Sequence, residues 1–279
     1  MTARRLRRAV RRALPRPFVR FIWNAASDLK DLPGRLKSRR PAPWRVIHNN
    51  GGGDFHRTGE TLFHAIREAT GLSPDETVLD MGCGAGRLAF PLCAYLSEEG
   101  RYIGFDIAPR ALDFARRHVS GAAAIDFVHA DLSNPEYRRE GGSAADYRFP
   151  AEDGSVDLAV ATSLFTHLDA KTAKGYLAET GRVLRPGGRA YLTVFEIDAE
   201  GRQALHAGVA RLGFVQLGGP AWSTDPAAPE AAMGFETEAL NGWIEAAGLV
   251  RERTVARGDW RDAAPSGQLQ DHLIVRKPG

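Results

Sequence analysis

The sequence has few cysteines and no long hydrophobic run. Only two of its 279 residues are cysteine, Cys83 and Cys93, so a disulfide framework is excluded and a reducing, cytoplasmic location is expected. No stretch of about 18 uncharged apolar residues occurs, which argues against a membrane-spanning helix. The basic start is not followed by the apolar core of a secretory signal. No group of His, Cys and Asp residues has metal-site spacing, so no metal is expected.

Acidic residues are scarce in the first 45 residues. This segment holds 14 Lys and Arg but only two Asp, a formal charge of +12, so the rest of the chain must carry −9 to give the overall +3. Apolar residues recur there at helical spacing between arginines, which predicts a basic amphipathic helix. We expect residues 1–45 to form an arm and linker, with residues 1–40 contacting an anionic inner-membrane surface. A solvated tail, an RNA-binding arm and a transit peptide remain alternatives, with nucleic acid disfavoured.

Residues 46–279 alternate between strand-like and helix-like segments. This alternation is typical of an α/β doubly wound fold, a mostly parallel sheet with helices on both faces and a ligand crevice at the carboxyl ends of the strands. Two stretches, 132–154 and 196–236, interrupt the alternation, and we interpret them as insertions. Strands are predicted at 77–80, 102–105, 125–128, 156–161, 189–195, 250–256 and 268–275, and helices at 58–70, 86–96, 109–119, 170–184 and 237–247.

The stretch LDMGCGAGRLA, residues 79–89, places three glycines between an apolar strand and an apolar helix. Such a turn lets the backbone approach a nucleotide. Gly84, Gly86 and Ala89 fit the spacing of dinucleotide-binding proteins, whereas Gly82, Gly84 and Gly86 fit a second spacing. The turn alone therefore leaves the nucleotide undecided.

Three carboxylates, Asp80, Asp106 and Asp131, follow successive strands. Asp106 is placed to accept hydrogen bonds from ribose hydroxyls, and its charge would repel the 2′-phosphate of NADP. Asp80 would repel a pyrophosphate but attract the sulfonium and ammonium groups of S-adenosylmethionine (SAM). Asp131 is placed to accept a hydrogen bond from an adenine amino group. Each Asp alone could be a helix cap, but the three together favour SAM.

Five ordered segments resemble class I SAM-dependent methyltransferases of the small-molecule type. VLDMGCGAG resembles the first motif of that family, YIGFDIAPRALDFAR the second and DFVHADL the third. FPAEDGSVDLAVATSLFTHL and YLAETGRVLRPGGRAYLTVF resemble its fourth-strand and fifth-strand segments. The likeness covers about residues 57–200. It implies a Rossmann-like, seven-stranded sheet with an antiparallel last strand, and SAM as the cofactor.

The resemblance also implies the contacts of that cofactor. The methionine part would meet Asp80 and the glycine turn, the ribose and adenine would meet the residues after the second and third strands, and the residue after the fourth strand would form the floor of the methyl-transfer site. The implied residues are Asp80, Gly82, Cys83, Gly84, Gly86, Asp106, Ile107, Asp131, Leu132 and Ser163.

One departure from the wider family is informative. Base methylators carry an Asn/Asp-Pro-Pro-aromatic motif or a Pro-Cys nucleophile after the fourth strand, whereas this chain has Thr162-Ser163-Leu164-Phe165. Base methylation by those routes is therefore disfavoured. Aromatic and apolar side chains near the predicted crevice either line an acceptor pocket or pack the second insertion onto the domain; they are Phe55, Phe63, Phe214, Trp222, Met233 and Phe235.

A methyl transfer to oxygen needs alignment above all, and a base assists it. His167, just past the fourth strand, is the first candidate base, and Glu196 and Asp198 past the fifth strand are further candidates, with a structural role open for each. We therefore expect SAM-dependent methyl transfer to a small-molecule hydroxyl, in cell-surface glycan or lipid metabolism. An NAD-dependent oxidoreductase, an RNA methyltransferase using the basic arm and a non-catalytic SAM-binding protein remain alternatives.

Overall fold

The computed structural model describes residues 24–29, 32, 41–45, 54–132, 142–262 and 267–279. The predicted amphipathic helix of the arm lies outside these residues. Residues 24–29 are helical, and the buried carboxylate of Asp28 accepts a hydrogen bond from the backbone N–H of Arg45 at 2.9 Å. No helix within the described ranges combines the length and apolarity needed to cross a membrane.

The described residues form two sheets. Their strands are β1 (Thr77–Met81), β2 (Arg101–Asp106), β3 (Ala124–His129), β4 (Val156–Ala161), β5 (Leu184–Val194), β6 (Glu196–Ile197), β7 (Val215–Gly218), β8 (Ala221–Ser223), β9 (Met233–Glu236), β10 (Val250–Ala256) and β11 (Asp271–Arg276). The larger sheet has the order β10-β11-β5-β4-β1-β2-β3, and only β11 runs antiparallel to its neighbours. The predicted Rossmann-like sheet with an antiparallel last strand is confirmed.

Five helices cover the two faces of this sheet, and a sixth, α5 (Ala199–His206), packs beside the small sheet. The five are α1 (Phe55–Thr70), α2 (Ala89–Tyr95), α3 (Pro109–His118), α4 (Ala170–Val183) and α6 (Thr237–Ala246). Helix α1 begins three residues earlier than predicted because the Asp54 side chain accepts the N–H of Arg57 at 2.7 Å and so caps the helix. It ends at Gly71, whose φ of 65° is the left-handed conformation that glycine tolerates.

The alternation of side chains along the strands divides the core into two clusters. Val78, Val160 and Tyr191 pack with the apolar residues of α1 and α2 on one face, which we call the α1 face. Leu79 and Met81 pack with α4 and α6 on the other. Because both faces are covered, most strand residues are buried, and a polar side chain there needs a partner.

The second insertion forms its own small sheet rather than a loop. Strands β6, β9, β8 and β7 pair in that order. Phe214 and Trp222 pack under it against Phe195 and Trp260. The aromatic and apolar residues considered for an acceptor pocket are all at most 9% exposed within the core clusters, which favours the packing interpretation.

A buried ion-pair network attaches this small sheet to the connection between β10 and β11. The Arg261 guanidinium donates to the Asp271 carboxylate at 2.7 Å and to the carbonyl of Glu196 at 2.7 Å. Asp271 also accepts the backbone N–H of Glu196 at 3.0 Å and the Trp260 indole N–H at 3.1 Å. The insertion is therefore fixed to the main sheet by hydrogen bonds as well as by apolar contact.

Two helix glycines provide a matched test of this packing. A Cβ at Gly181 in α4 would lie 2.1 Å from the carbonyl oxygen of Ala247, so Gly181→Ala should lower the free energy of unfolding by about 1–3 kcal/mol. Exposed Gly242 in α6 has no atom within 4 Å of such a Cβ, so Gly242→Ala should raise it by about 0.5–1 kcal/mol. Urea denaturation measures both, and a stable Gly181→Ala variant would contradict the packing of α4 against the end of α6.

Candidate active site

The turn after β1 is held by the end of β2. The backbone N–H groups of Gly82 and Cys83 both donate to the carbonyl of Phe105, at 2.9 and 3.0 Å. Gly82, Gly84 and Gly86 have φ angles of 73°, 55° and 82°, in the region that favours glycine. The turn therefore favours glycine at these positions, and at Gly82 and Gly86 a side chain would also meet Leu164 and Val119.

Asp106, at the end of β2, is oriented by the same turn. Its Oδ2 accepts the N–H of Gly84 and its Oδ1 accepts the N–H of Ala108, both at 2.8 Å. Burial raises the pKa of Asp106, and these two N–H groups oppose that rise. A carboxylate offers about four acceptor positions, so at least one remains for a ribose hydroxyl after the backbone N–H groups of Gly84, Ala108 and Ile107.

Asp80 lies beneath the turn rather than open to the crevice. It is 2% exposed, and its Oδ2 accepts a hydrogen bond from the Tyr102 hydroxyl at 2.7 Å. Burial raises the pKa of Asp80 to about 7. Gly104 makes room for this contact, because a Cβ there would lie 2.8 Å from the Tyr102 hydroxyl. A cation bound above the turn would favour the ionised carboxylate.

The remaining predicted cofactor residues occupy different environments. Cys83 is buried, and burial raises the pKa of its thiol well above the usual value, so it remains a neutral packing group. Ile107 is half-buried and Leu132 buried, both against the α4 side of the core. Asp131 is exposed just past β3, and its carbonyl accepts the N–H of Gly142 at 2.9 Å.

Ser163 connects three strands at the carboxyl edge. Its φ of 56° is uncommon for a residue other than glycine and is typical of functional sites. Its backbone N–H donates to the Thr193 hydroxyl at 2.7 Å, and its own hydroxyl donates to Oε1 of Gln270 at 3.3 Å. The end of β4 is thereby tied to the end of β5 and to the start of β11.

The three candidate bases differ in what they contact. Nδ1 of His167 lies 2.7 Å from the Glu230 carbonyl, so Nδ1 carries the hydrogen and Nε2 is the basic nitrogen of the neutral ring. Glu196 is 4% exposed, and both its oxygens accept from Arg251 at 2.7 Å. Asp198 caps α5 through the N–H of Gly201 at 2.7 Å. The contacts of Glu196 and Asp198 are those of structural anchors and do not favour either as a base.

Together these residues fit SAM. The glycine turn and the oriented carboxylate of Asp106 lie at one edge of the sheet, and Asp106 offers acceptors to hydroxyl groups. Buried Asp80 supplies negative charge beneath the turn, where Arg87 is a neighbouring cation.

Comparison with known proteins agrees with this geometry. Residues 78–188 match the family model described as Methyltransferase domain. Residues 78–188 therefore carry a methyltransferase domain. The match begins at the second residue of β1 and ends within β5, so it contains the glycine turn, Asp106 and Ser163. SAM is the cofactor of this family.

The relatives of this methyltransferase domain act on different acceptors. Nocamycin O-methyltransferase of Saccharothrix syringae is 33% identical over 155 residues, which are 53% of this chain and 49% of that protein. A tRNA(Thr) (cytosine(32)-N(3))-methyltransferase of Saccharomyces cerevisiae is 27% identical over 164 residues, 56% of this chain and 24% of that protein. The matches span less than half the length of these curated relatives.

A solved structure shares the fold of the domain. A SAM-dependent methyltransferase from Methanosarcina mazei superposes with a TM-score of 0.52 at 20% sequence identity, covering 76% of this chain and 97% of the other. At that identity the likeness establishes the fold alone.

Sequence reasoning missed four residues of the methyltransferase site. Tyr102 and Gly104 form the pocket of Asp80, and Thr193 and Gln270 hold Ser163. The available signal was polarity, since Tyr102 and Thr193 interrupt otherwise apolar strands. Their partners lie 22 to 107 residues away along the chain, beyond the reach of any local pattern.

The role of Asp106 can be tested by substitution. Asp106→Ala should weaken SAM binding by about 1–3 kcal/mol, because it removes an ionised acceptor of ribose hydroxyls. Isothermal titration calorimetry measures the loss. Asp126→Ala, which removes an exposed partner of Arg101, is the control and should bind normally. Unchanged affinity in a folded Asp106→Ala protein would remove Asp106 from the site.

The raised pKa of Asp80 predicts a pH dependence. The pKa of this carboxyl is about 7 in the folded chain and near 3.8 in the unfolded chain. The stability that the protonated group contributes is therefore complete below about pH 3.8 and is lost as the pH rises through about 7. Cationic SAM prefers the ionised form, so its affinity should rise between pH 6 and 8, by up to tenfold per unit below about 7. Asp80→Asn should flatten this profile, and an equally flat wild-type profile would contradict the assignment.

Proposed function

We propose that this chain transfers the methyl group of SAM to a hydroxyl oxygen of a small-molecule acceptor. The observation that carries the proposal is the Asp106 carboxylate, which the glycine turn orients while leaving an acceptor position available. The match of residues 78–188 to the methyltransferase family supports methyl transfer as the reaction.

When bound, SAM would supply an electrophilic methyl group on a sulfonium. The chain's own residues then have two tasks. Asp106 and the turn fix the nucleoside, and Ser163 fixes the floor of the site by its bonds to β5 and β11. Because the leaving thioether is already good, holding the acceptor in line supplies most of the catalytic effect. A nearby base completes the reaction by taking the hydroxyl proton.

A small-molecule acceptor is favoured over RNA by two features. The chain outside the basic arm carries a formal charge of −9, which disfavours a polyanion over that region. The O-methyltransferase relative also matches at higher identity than the tRNA methyltransferase relative. Cell-surface glycan or lipid intermediates are the acceptor class that we favour, because the basic arm would suit a site near an anionic membrane.

The proposal is tested in two steps with the full chain. Calorimetry with SAM, S-adenosylhomocysteine and NAD should give binding of the first two only; binding of NAD alone would establish an oxidoreductase instead. Release of S-adenosylhomocysteine is then measured by mass spectrometry against phenols, sugars, hydroxy acids, amines and a tRNA transcript. Turnover should appear with hydroxyl compounds and be absent with amines and tRNA, and turnover with tRNA alone would overturn the small-molecule acceptor.

A further inference from the structure

A buried polar pair lies in the interior of the main sheet. The hydroxyl of Tyr191, in β5, is 2.5 Å from Nδ1 of His272, in β11, and the two rings meet edge to face with centroids 5.5 Å apart. Tyr191 is fully buried and His272 is 5% exposed. The described residues provide no hydrogen-bond partner for the second ring nitrogen, Nε2. One end of the imidazole is therefore fixed, and the other end is available.

Strand register places His272 on the α1 face, near the glycine turn. Asp80 pairs with Val160, Val160 with Tyr191 and Tyr191 with Ile274, so these four side chains share one face. Two residues further along β5, towards the carboxyl edge, Thr193 pairs with His272. Since β11 is antiparallel, its first residues lie at the carboxyl edge of the other strands. His272 thus stands in the same row as Thr193, and that row continues across β4 to the turn.

The same row contains the partners of Ser163. Thr193, directly across from His272, accepts the N–H of Ser163, and Gln270, two residues before His272, accepts its hydroxyl. His272 is therefore bracketed by the two side chains that hold the end of β4. Strand β5 lies between β4 and β11, so Thr193 is the side chain that separates His272 from the end of β4.

The surroundings of the ring suit a neutral base. Burial lowers the pKa of His272, although the neighbouring carboxylate of Asp271 opposes this. Asp271 points to the opposite face and is paired with Arg261, and Tyr191 is uncharged because burial raises its pKa to about 12. In the tautomer with the ring hydrogen on Nδ1, the Tyr191 oxygen accepts and Nε2 carries the lone pair that a base needs; in the other tautomer, the Tyr191 hydroxyl donates to Nδ1. By contrast, His167 is bonded to the Glu230 carbonyl in the connection between β8 and β9, and both oxygens of Glu196 are bonded to Arg251.

We propose that His272 is the proton acceptor of the methyl-transfer site and that Tyr191 is its positioning residue. This inference rests on the proposed function. As the acceptor oxygen forms its bond to the methyl carbon, the electron pair of the carbon–sulfur bond stays with sulfur. The hydroxyl proton passes to Nε2 of His272, and the resulting imidazolium releases it to solvent. The preferred acceptor is therefore a neutral hydroxyl, which needs a base, rather than a group that is already ionised.

The test does not require the natural acceptor. Sinefungin carries an amine where SAM carries its methyl sulfonium, and S-adenosylhomocysteine carries nothing there. The ammonium of sinefungin can donate to Nε2 of His272 directly or through one water. The measured quantity is the ratio of the two dissociation constants, obtained by calorimetry on the full chain.

Paired substitutions separate the two ring nitrogens. The Asn side chain reaches about as far as Nδ1, so His272→Asn keeps the bond to Tyr191 and removes Nε2. The longer Gln side chain of His272→Gln places a polar atom near the position of Nε2. His272→Asn should lower the preference for sinefungin about tenfold, with S-adenosylhomocysteine affinity changed less than twofold. His272→Gln should restore part of the preference. His206→Gln, on an exposed histidine of α5, is the control and should match the wild type.

Tyr191→Phe provides an independent readout. Nitrogen-15 NMR of the imidazole should show the Nδ1–H tautomer of His272 in the wild type and a mixture in Tyr191→Phe, which a merely structural tyrosine would not produce. An unchanged ligand ratio in His272→Asn, or an Nε2 signal that sinefungin does not shift, would overturn the assignment while leaving the methyltransferase proposal intact. Failure of the wild type to bind either ligand would overturn both.

Discussion

The hydrogen bond from the Gly84 N–H to the Asp106 carboxylate is the contact on which the site depends. It joins the turn after β1 to the end of β2 and at the same time fixes the direction of the carboxylate. The carbonyl of Phe105 takes two more N–H groups of the turn, so the turn and the strand form one rigid unit. Burying the carboxylate is unfavourable by itself, and the two backbone donors offset part of that cost.

A second constraint acts from the far edge of the sheet. Arg261 and Asp271 are almost completely buried, and such a pair is tolerated only when the remaining donors and acceptors are satisfied. Here backbone groups of Glu196 and Gly258 complete it. The network fixes the small sheet beside the carboxyl edge of the main one. The acidic residues after β5 also pair with arginines: Glu196 with Arg251, and Asp198 with Arg257 and Arg261.

The regular part of the fold could be predicted because its strands are apolar runs bounded by turns. The predicted limits 156–161 and 250–256 are those of β4 and β10. The strands of the second insertion could not be predicted, because segments of two to four residues are too short to show a period. Asp106 could be predicted from its position after β2. The Glu196–Arg251 pair could not, because it joins residues 55 apart through tertiary packing alone.

Stability alone gives little reason for polar residues at Tyr191 and His272. Both stand on a face packed largely with apolar side chains, where the net gain from one hydrogen bond is about 1 kcal/mol and apolar replacements of similar volume would serve as well. The interior position makes the pair rigid, and the edge position of His272 brings it next to the side chains that hold Ser163. A site that must align a nucleophile benefits from a base whose ring cannot rotate. A ring hydrogen on Nδ1, donated to the Tyr191 oxygen, would leave Nε2 as the nitrogen that accepts a proton.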